Sequence, residues 1–305
     1  MLETISIGNY KQLSNIEIVF EKSLDNPTCI LVGDTLSGKR EALEVIPFLF
    51  AHTPSSQDQS ACYHNSGVVL HSKQNMTATG TIDFSLGFSD HIIHSSFKYE
   101  GGNYGSWVKN EDSTTSIQSE SITKAKLYSF TESTRQGFAE ACSSYIKPCG
   151  KGLQPYLIFL AEDYPEKLGA IMSGLMRVFP EITGTMVFSN TDNNFTIGDI
   201  DHSRCSQYES MAFFTMNNGM TYPLTHLPMS ILTSLTSLVI CASNHSSSLI
   251  LIDEFDLHLD TSRAFKLLAE LEVLTTVNAK QLILSTTKRE FLMKPNAQYI
   301  ECYAK

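Results

Sequence analysis

The chain is short of several things, and each shortage excludes a class. Its 305 residues contain one tryptophan and no apolar run near the roughly 18 residues that a bilayer-spanning helix needs. The opening segment, MLETISIGNYKQ, has an acid at its third position and no apolar core of signal-peptide length. A soluble, cytoplasmic protein is expected. Positive charge is scarce: 22 Lys and Arg face 32 Asp and Glu, for a formal net charge of −10. No overall basic field draws the chain to nucleic acid, and only a local basic face would do so. Seven cysteines (Cys29, Cys62, Cys142, Cys149, Cys205, Cys241, Cys302) form no C-x-x-C pair and no Cys/His metal spacing, which reads as free thiols in a reducing compartment. His202, His226, His245 and His258 are scattered in the same way. No repeat or heptad run is present, and the 42% apolar content can bury a substantial core.

What is present begins at Thr28. In TCILVGDTLSGKREALEVI an apolar run ends in a glycine-bounded loop that opens into a helical pattern. Gly33, Gly38 and Lys39 match G-x-x-x-x-G-K, a phosphate-binding loop whose consecutive backbone N–H groups point into one concavity while the helix N-terminus adds partial positive charge. The candidate binding residues are therefore Gly33, Asp34, Thr35, Leu36, Ser37, Gly38, Lys39 and Arg40. Arg40 stands where a Ser or Thr hydroxyl normally holds Mg²⁺.

Around this loop the periodicity predicts an α/β chain. Leu2 to Ile7 and Ile16 to Phe20 alternate as two antiparallel strands, Cys29 to Val32 is a strand buried on both faces, and Glu41 to Phe50 has helical spacing. Residues 51 to 78 read as an irregular excursion. TGTIDFSLGF, HIIHSSFKYE and NYGSWVKNE then form an antiparallel layer, in which Trp107 reads as sheet packing. A polar segment precedes Ala125 to Phe130. Arg135 to Tyr145 and Pro165 to Phe179 are helical, Gly184 to Ser189, Asn194 to Ile197 and Met211 to Met216 are short strands, and Met229 to Ala242 is an apolar helix studded with Ser and Thr.

The second informative stretch is SLILIDEFDLHLD. Ser248 to Ile252 makes a buried strand with Asp253 and Glu254 at its carboxyl end, where ligands of open α/β sheets lie. One carboxylate of such a pair holds Mg²⁺, here Asp253, and the next polarises an attacking water, here Glu254. The alternative is that the pair merely ends a strand in solvent. A helix over Ala264 to Leu274 and a strand over Gln281 to Ser285 complete a right-handed βαβ unit in a parallel sheet beside the loop strand, with a last strand around Gln298 to Cys302.

LVGDTLSGK, LILIDEFDLHLD and KQLILSTTKREFL together resemble the ATP-binding heads of ABC-type ATPases, particularly the branch holding RecF, SMC and OLD-like proteins. The resemblance covers most of the chain and implies one P-loop domain over 1–305: loop and β layer (1–130), helical lobe and extra strands (131–228), then signature-position helix, acidic strand and switch strand (229–305). It implies ATP as ligand, with Lys39 on the β and γ phosphates, Glu254 as catalytic carboxylate and Asp253 on any Mg²⁺.

Four positions depart from that pattern. Arg40 cannot coordinate a metal but can pair with phosphate oxygens; alternatively it faces solvent or pairs with a carboxylate such as Glu41. The signature motif falls on THLPMSILTSL, with Pro228 and Ser230 in place of Ser and Gly, and Thr287 stands where the switch His would be. Asp260 occupies the D-loop position, and Gln57, Gln59 and Gln74 are candidates for the glutamine loop. The resemblance thus implies either a slow or partner-activated ATPase switch, of the kind serving DNA repair or phage defence, or a pseudo-ATPase scaffold. Partners implied are a second copy or another subunit at the ATPase face and a separate effector or nuclease.

Overall fold

A computed structural model describes residues 2–10, 13–20, 28–51, 81–88, 92–100, 106–109, 125–130, 146, 150, 152–187, 195–198, 212–243, 248–295 and 297–300. These divide between two compact units, one drawn from Met1–Leu127, Ser247–Asp253 and Gln281–Lys305, the other from Tyr128–Ser246 and Glu254–Lys280.

In the first unit, β1 (Leu2–Tyr10) and β2 (Leu13–Val19) pair antiparallel with Ile5 opposite Ile18 and Ile7 opposite Ile16. β3 (Thr28–Val32) runs into α1 (Lys39–Ala51). β4 (Thr81–Phe88), β5 (Ile92–Glu100) and β6 (Ser106–Lys109) complete an antiparallel sheet in the order β2-β1-β4-β5-β6. Leu2 and Ile5 are both buried although three residues apart, which a regular strand would place on opposite faces; a register shift between Leu2 and Thr4 against β4 reconciles them.

The other sheet has the order β14-β3-β13-β12-β7, built from β7 (Ala125–Ser129), β12 (Leu249–Asp253), β13 (Gln281–Thr286) and β14 (Ala297–Tyr299) around β3. β12, β13, β3 and β14 are mutually parallel. Every residue of β3, β12 and β13 is buried, which is why TCILV, LILID and QLILST read as continuous apolar runs rather than alternations. Cys29, Leu31, Leu251 and Ile283 share one core with Ile5 and Ile7 of β1 and Ala42 and Ile46 of α1. The Gln281 carboxamide ties the two sheets: its Oε1 accepts from Leu2 N and its Nε2 donates to Leu2 O, both at 2.8 Å.

The second unit carries α2 (Leu153–Asp163), α3 (Pro165–Val178), α4 (Met229–Ala242) and α5 (Thr261–Val277). Its sheet, ordered β11-β10-β8-β9, comprises β8 (Ile182–Val187), β9 (Phe195–Gly198), β10 (Ala212–Met216) and β11 (Thr221–Pro223), all antiparallel. Arg177 of α3 grips Glu270 of α5 through two hydrogen bonds of 2.5 and 2.7 Å. From Ile231 to Ala242 every residue of α4 is buried. Its Thr233, Ser234, Thr236 and Ser237 hydroxyls each donate to a carbonyl one turn back, so the polar groups are buried without losing their bonds.

The strand and helix expectations hold at all three motif stretches. Ala125–Ser129 is a strand, and α2 and β11 are additional elements. The helix expected over Arg135 to Tyr145, the excursion over 52 to 78 and the end of the last strand beyond Ile300 lie outside the described residues. Among the described residues no helix is long and apolar enough to cross a membrane.

The carboxyl end of α4 is closed by a lysine. Lys280, 5% exposed, directs its ammonium at the carbonyls of Ile240, Cys241 and Ser243. These are terminal carbonyls that the helix itself leaves unpaired. Burial lowers its pKa from 10.5 to about 8. The folded state therefore binds fewer protons than the unfolded state between those values, and this group's contribution to stability rises with pH across that window. Lys280→Met is expected to cost about 1–3 kcal/mol by orphaning carbonyls. In urea titrations at pH 8 and pH 10, the wild-type midpoint should gain on that of the variant as pH rises.

Candidate phosphate-binding site

The carboxyl ends of the parallel strands β3, β12 and β13 carry the candidate residues of the first unit. β3 leads into Gly33, whose N–H donates to Thr286 O at the end of β13 (3.2 Å). Only glycine fits there: a Cβ would lie 2.3 Å from Ser37 Oγ and 2.4 Å from the Ile300 carbonyl oxygen. Ser37 N then donates to Asp34 O (3.0 Å), closing a turn in which Leu36 takes φ 67°, and Gly38 follows at φ 88°. A left-handed leucine costs on the order of 1 kcal/mol and marks a loop held against its preference. Left-handed residues alternating with ordinary ones fold successive N–H groups toward one side, the geometry of an anion nest. α1 starts directly behind, with Ala42 N donating to Gly38 O (2.9 Å).

Lys39 supplies the charge. It is 5% exposed, and its Nζ donates to Gly33 O (2.8 Å), Asp34 O (2.7 Å) and Ser37 Oγ (3.3 Å), so the ammonium lies within the curve of its own loop. Asp34, Thr35, Leu36 and Arg40 are exposed, and Ser37 and Gly38 are buried.

Asp253 ends β12 with 6% exposure. One of its oxygens accepts from Ser285 Oγ of β13 at 2.6 Å; the other is 4.0 Å from Arg40 Nε. Arg40 Nε donates to Glu44 Oε1 (3.1 Å), so of the nearby carboxylates it is Glu44, at i+4, and not Glu41 that takes the hydrogen bond. Burial opposes the guanidinium charge, but the Glu44 hydrogen bond and the carboxylates of Asp253, Glu44 and Glu41 outweigh it and raise the pKa. Thr287 is the first, exposed residue beyond β13.

Two residues at this edge escaped sequence reasoning. Ser285, within the apolar run QLILST, is legible afterwards as a hydroxyl at a strand end. Arg289 has no local signal: its Nη2 lies 3.1 and 2.9 Å from the two Asp34 oxygens and 3.2 Å from Tyr299 Oη, with the guanidinium 5.5 Å from the Tyr299 ring centre.

In the second unit, Glu254 is the residue after Asp253; it takes φ 48° and opens a turn in which Leu257 N donates to its carbonyl (3.0 Å). Asp260 caps α5, its Oδ1 accepting from Arg263 N (2.9 Å). Pro228 stands at the N-cap of α4 and makes no side-chain capping bond. Gln57, Gln59, Gln74, His202 and His245 lie outside the described residues, as does the Trp107 side chain.

The donor set fits an anion such as a polyphosphate, because a glycine-shaped turn, a helix N-terminus and a buried ammonium converge on it. It does not fit Mg²⁺ in the expected way. Position 40 offers guanidinium nitrogens where a hydroxyl oxygen is needed.

No protein-family model and no curated protein matches the chain. Solved structures do. An SMC head bound to the C-terminal winged-helix domain of ScpA aligns at 12% identity over 99% of this chain and 94% of that one, with a TM-score of 0.56. An Smc head with an extended coiled coil, bound to the C-terminal domain of ScpA derived from Pyrococcus furiosus, aligns at 11% over 99% and 94%, with a TM-score of 0.55. Together with the parallel core sheet, antiparallel sheets and helices, these place the chain in the α/β, ABC-type P-loop fold of the SMC heads.

Proposed function

We propose that this chain is a single ABC-type head that binds ATP and serves as a nucleotide-dependent switch, turning ATP over slowly or when a partner engages it. The observation that carries this reading is the buried Lys39 ammonium inside the Gly33–Gly38 turn, at the ends of the parallel strands. A triphosphate on the loop would take the Lys39 charge on its β and γ phosphates, accept from loop amides, and find further hydroxyl donors at Ser37 and Thr287. Glu254, next in the chain to Asp253, acts as base. It draws a proton from water as the water oxygen bonds to the γ phosphorus and the bond to the bridging oxygen breaks, releasing ADP and phosphate.

Several features favour slow turnover. Pro228 lacks an N–H to offer a phosphate across a dimer, and Thr287 cannot relay a proton as histidine does. A second copy would then activate poorly, and a different subunit at the ATPase face would supply the missing donors. The solved heads of like fold are bound to portions of ScpA, which supports a partner-binding role. DNA repair or phage defence in the cytoplasm, with a separate effector or nuclease, is the setting we infer. The same features support a second reading, a scaffold that binds partners with little or no turnover.

Lys39→Ala is expected to weaken ATP binding by about tenfold or more, the scale of a lost charge-assisted contact, measured by calorimetry. Glu254→Gln should leave binding intact while lowering phosphate release by about a hundredfold or more. Binding without any phosphate release, alone or with co-purifying proteins, would favour the scaffold. Arg289→Gln exposes the Asp34 charge at the loop and should weaken ATP binding; Asp34→Asn in the same chain should restore it, which a purely structural role for Arg289 would not produce.

A further inference from the structure

We infer that Arg40 takes the place of the divalent cation, so that the chain binds the triphosphate in metal-free form. This rests on the phosphate-loop reading above and deepens it.

Three observations carry it. Arg40 is the second residue of α1, next in the chain to Lys39, at the helix end where anions are favoured. Its Nε is 4.0 Å from Asp253 Oδ2, the oxygen at which a cation between the loop and β12 would be held, while Oδ1 is committed to Ser285 Oγ at 2.6 Å. A divalent ion there would meet a resident positive charge and a nitrogen donor group instead of the near-ideal octahedron of oxygens that Mg²⁺ demands.

The guanidinium is also equipped for the task. It carries five N–H donors in a planar fork that matches phosphate oxygens, and it stays charged at any working pH. Among the described residues its hydrogen bond is made through Nε, to Glu44, in an i,i+4 pair whose Arg40 side chain is 58% exposed. Glu44 is the more buried partner, its side chain 13% exposed, so the exposed guanidinium can keep Nε on Glu44 while its other N–H groups meet a phosphate. Lys39 and Arg40 together then offset two of the negative charges that Mg²⁺ would otherwise screen.

The test is calorimetric titration of ATP into the full chain in EDTA and again in excess Mg²⁺, with wild type, Arg40→Ser and Arg40→Lys. The wild type is expected to bind in EDTA and to change by less than about threefold when Mg²⁺ is added. Arg40→Ser should lose about tenfold in EDTA, the size of a charge-assisted contact, and recover in Mg²⁺; Arg40→Lys should lie between them. Wild-type binding that requires Mg²⁺ overturns the inference, as does an Arg40→Ser variant that binds as tightly as wild type in EDTA. Absence of binding under both conditions overturns the phosphate-loop reading itself and this inference with it.

Discussion

The Lys39 ammonium lies where two carbonyls and a hydroxyl of its own loop converge, and the loop can close around it only because residue 33 has no side chain. A methyl group at Gly33 would strike Ser37 and the Ile300 carbonyl, opening the turn and withdrawing the acceptors. The turn is in turn anchored from behind. Gly33 N–H bonds to the end of β13, and β3 lies between β13 and β14 with every residue buried. Burial of TCILV, LILID and QLILST therefore does more than stabilise the core: it brings Gly33, Asp253 and Ser285 to one edge of a sheet, although they are far apart in sequence.

Much of this was legible from residues alone. Short apolar runs bounded by Gly, or ending in an acidic pair, have few other uses than buried parallel strands, and G-x-x-x-x-G-K gave the loop its bounds. Met229–Ala242 was legible as a helix because its Ser and Thr hydroxyls satisfy themselves on carbonyls one turn back and leave the helical pattern intact. Helix α2 was less so. Leu153, Tyr156, Leu157, Leu160 and Ala161 form its buried face at helical spacing, but Ile158 and Phe159, only half-buried, interrupt the polar side and blur the period. The contacts across the site could not be read at all. Arg289 reaches Asp34 over 255 positions, and nothing local marks either residue as the other's partner. Ser285 was hidden by its small polar side chain within an apolar strand.

The positions at which the sequence departs from the ABC pattern it resembles are few and identifiable. Arg40, Pro228 and Thr287 occupy points where the resemblance implies a metal ligand, a partner-facing donor and a proton relay, while Lys39, Asp253 and Glu254 are kept. Asp260, kept as well, serves locally as the cap of α5. Arg40 Nε stands 4.0 Å from Asp253 Oδ2, so a positive charge already sits beside the carboxylate at the end of β12. A fold shared with SMC heads at 11–12% identity defines the architecture; the proposed activity rests on these few side chains.

Nucleotide is proposed to bind at the Gly33–Arg40 loop. Hydrogen exchange of the chain with and without saturating ATP reads this out at the loop amides themselves. Exchange should slow in residues 33–42 and at the strand ends around Asp253 and Ser285, because phosphate oxygens would occupy loop amides and tighten the edge to which they belong. Unchanged exchange in the loop, with ATP bound and protection elsewhere, would contradict it.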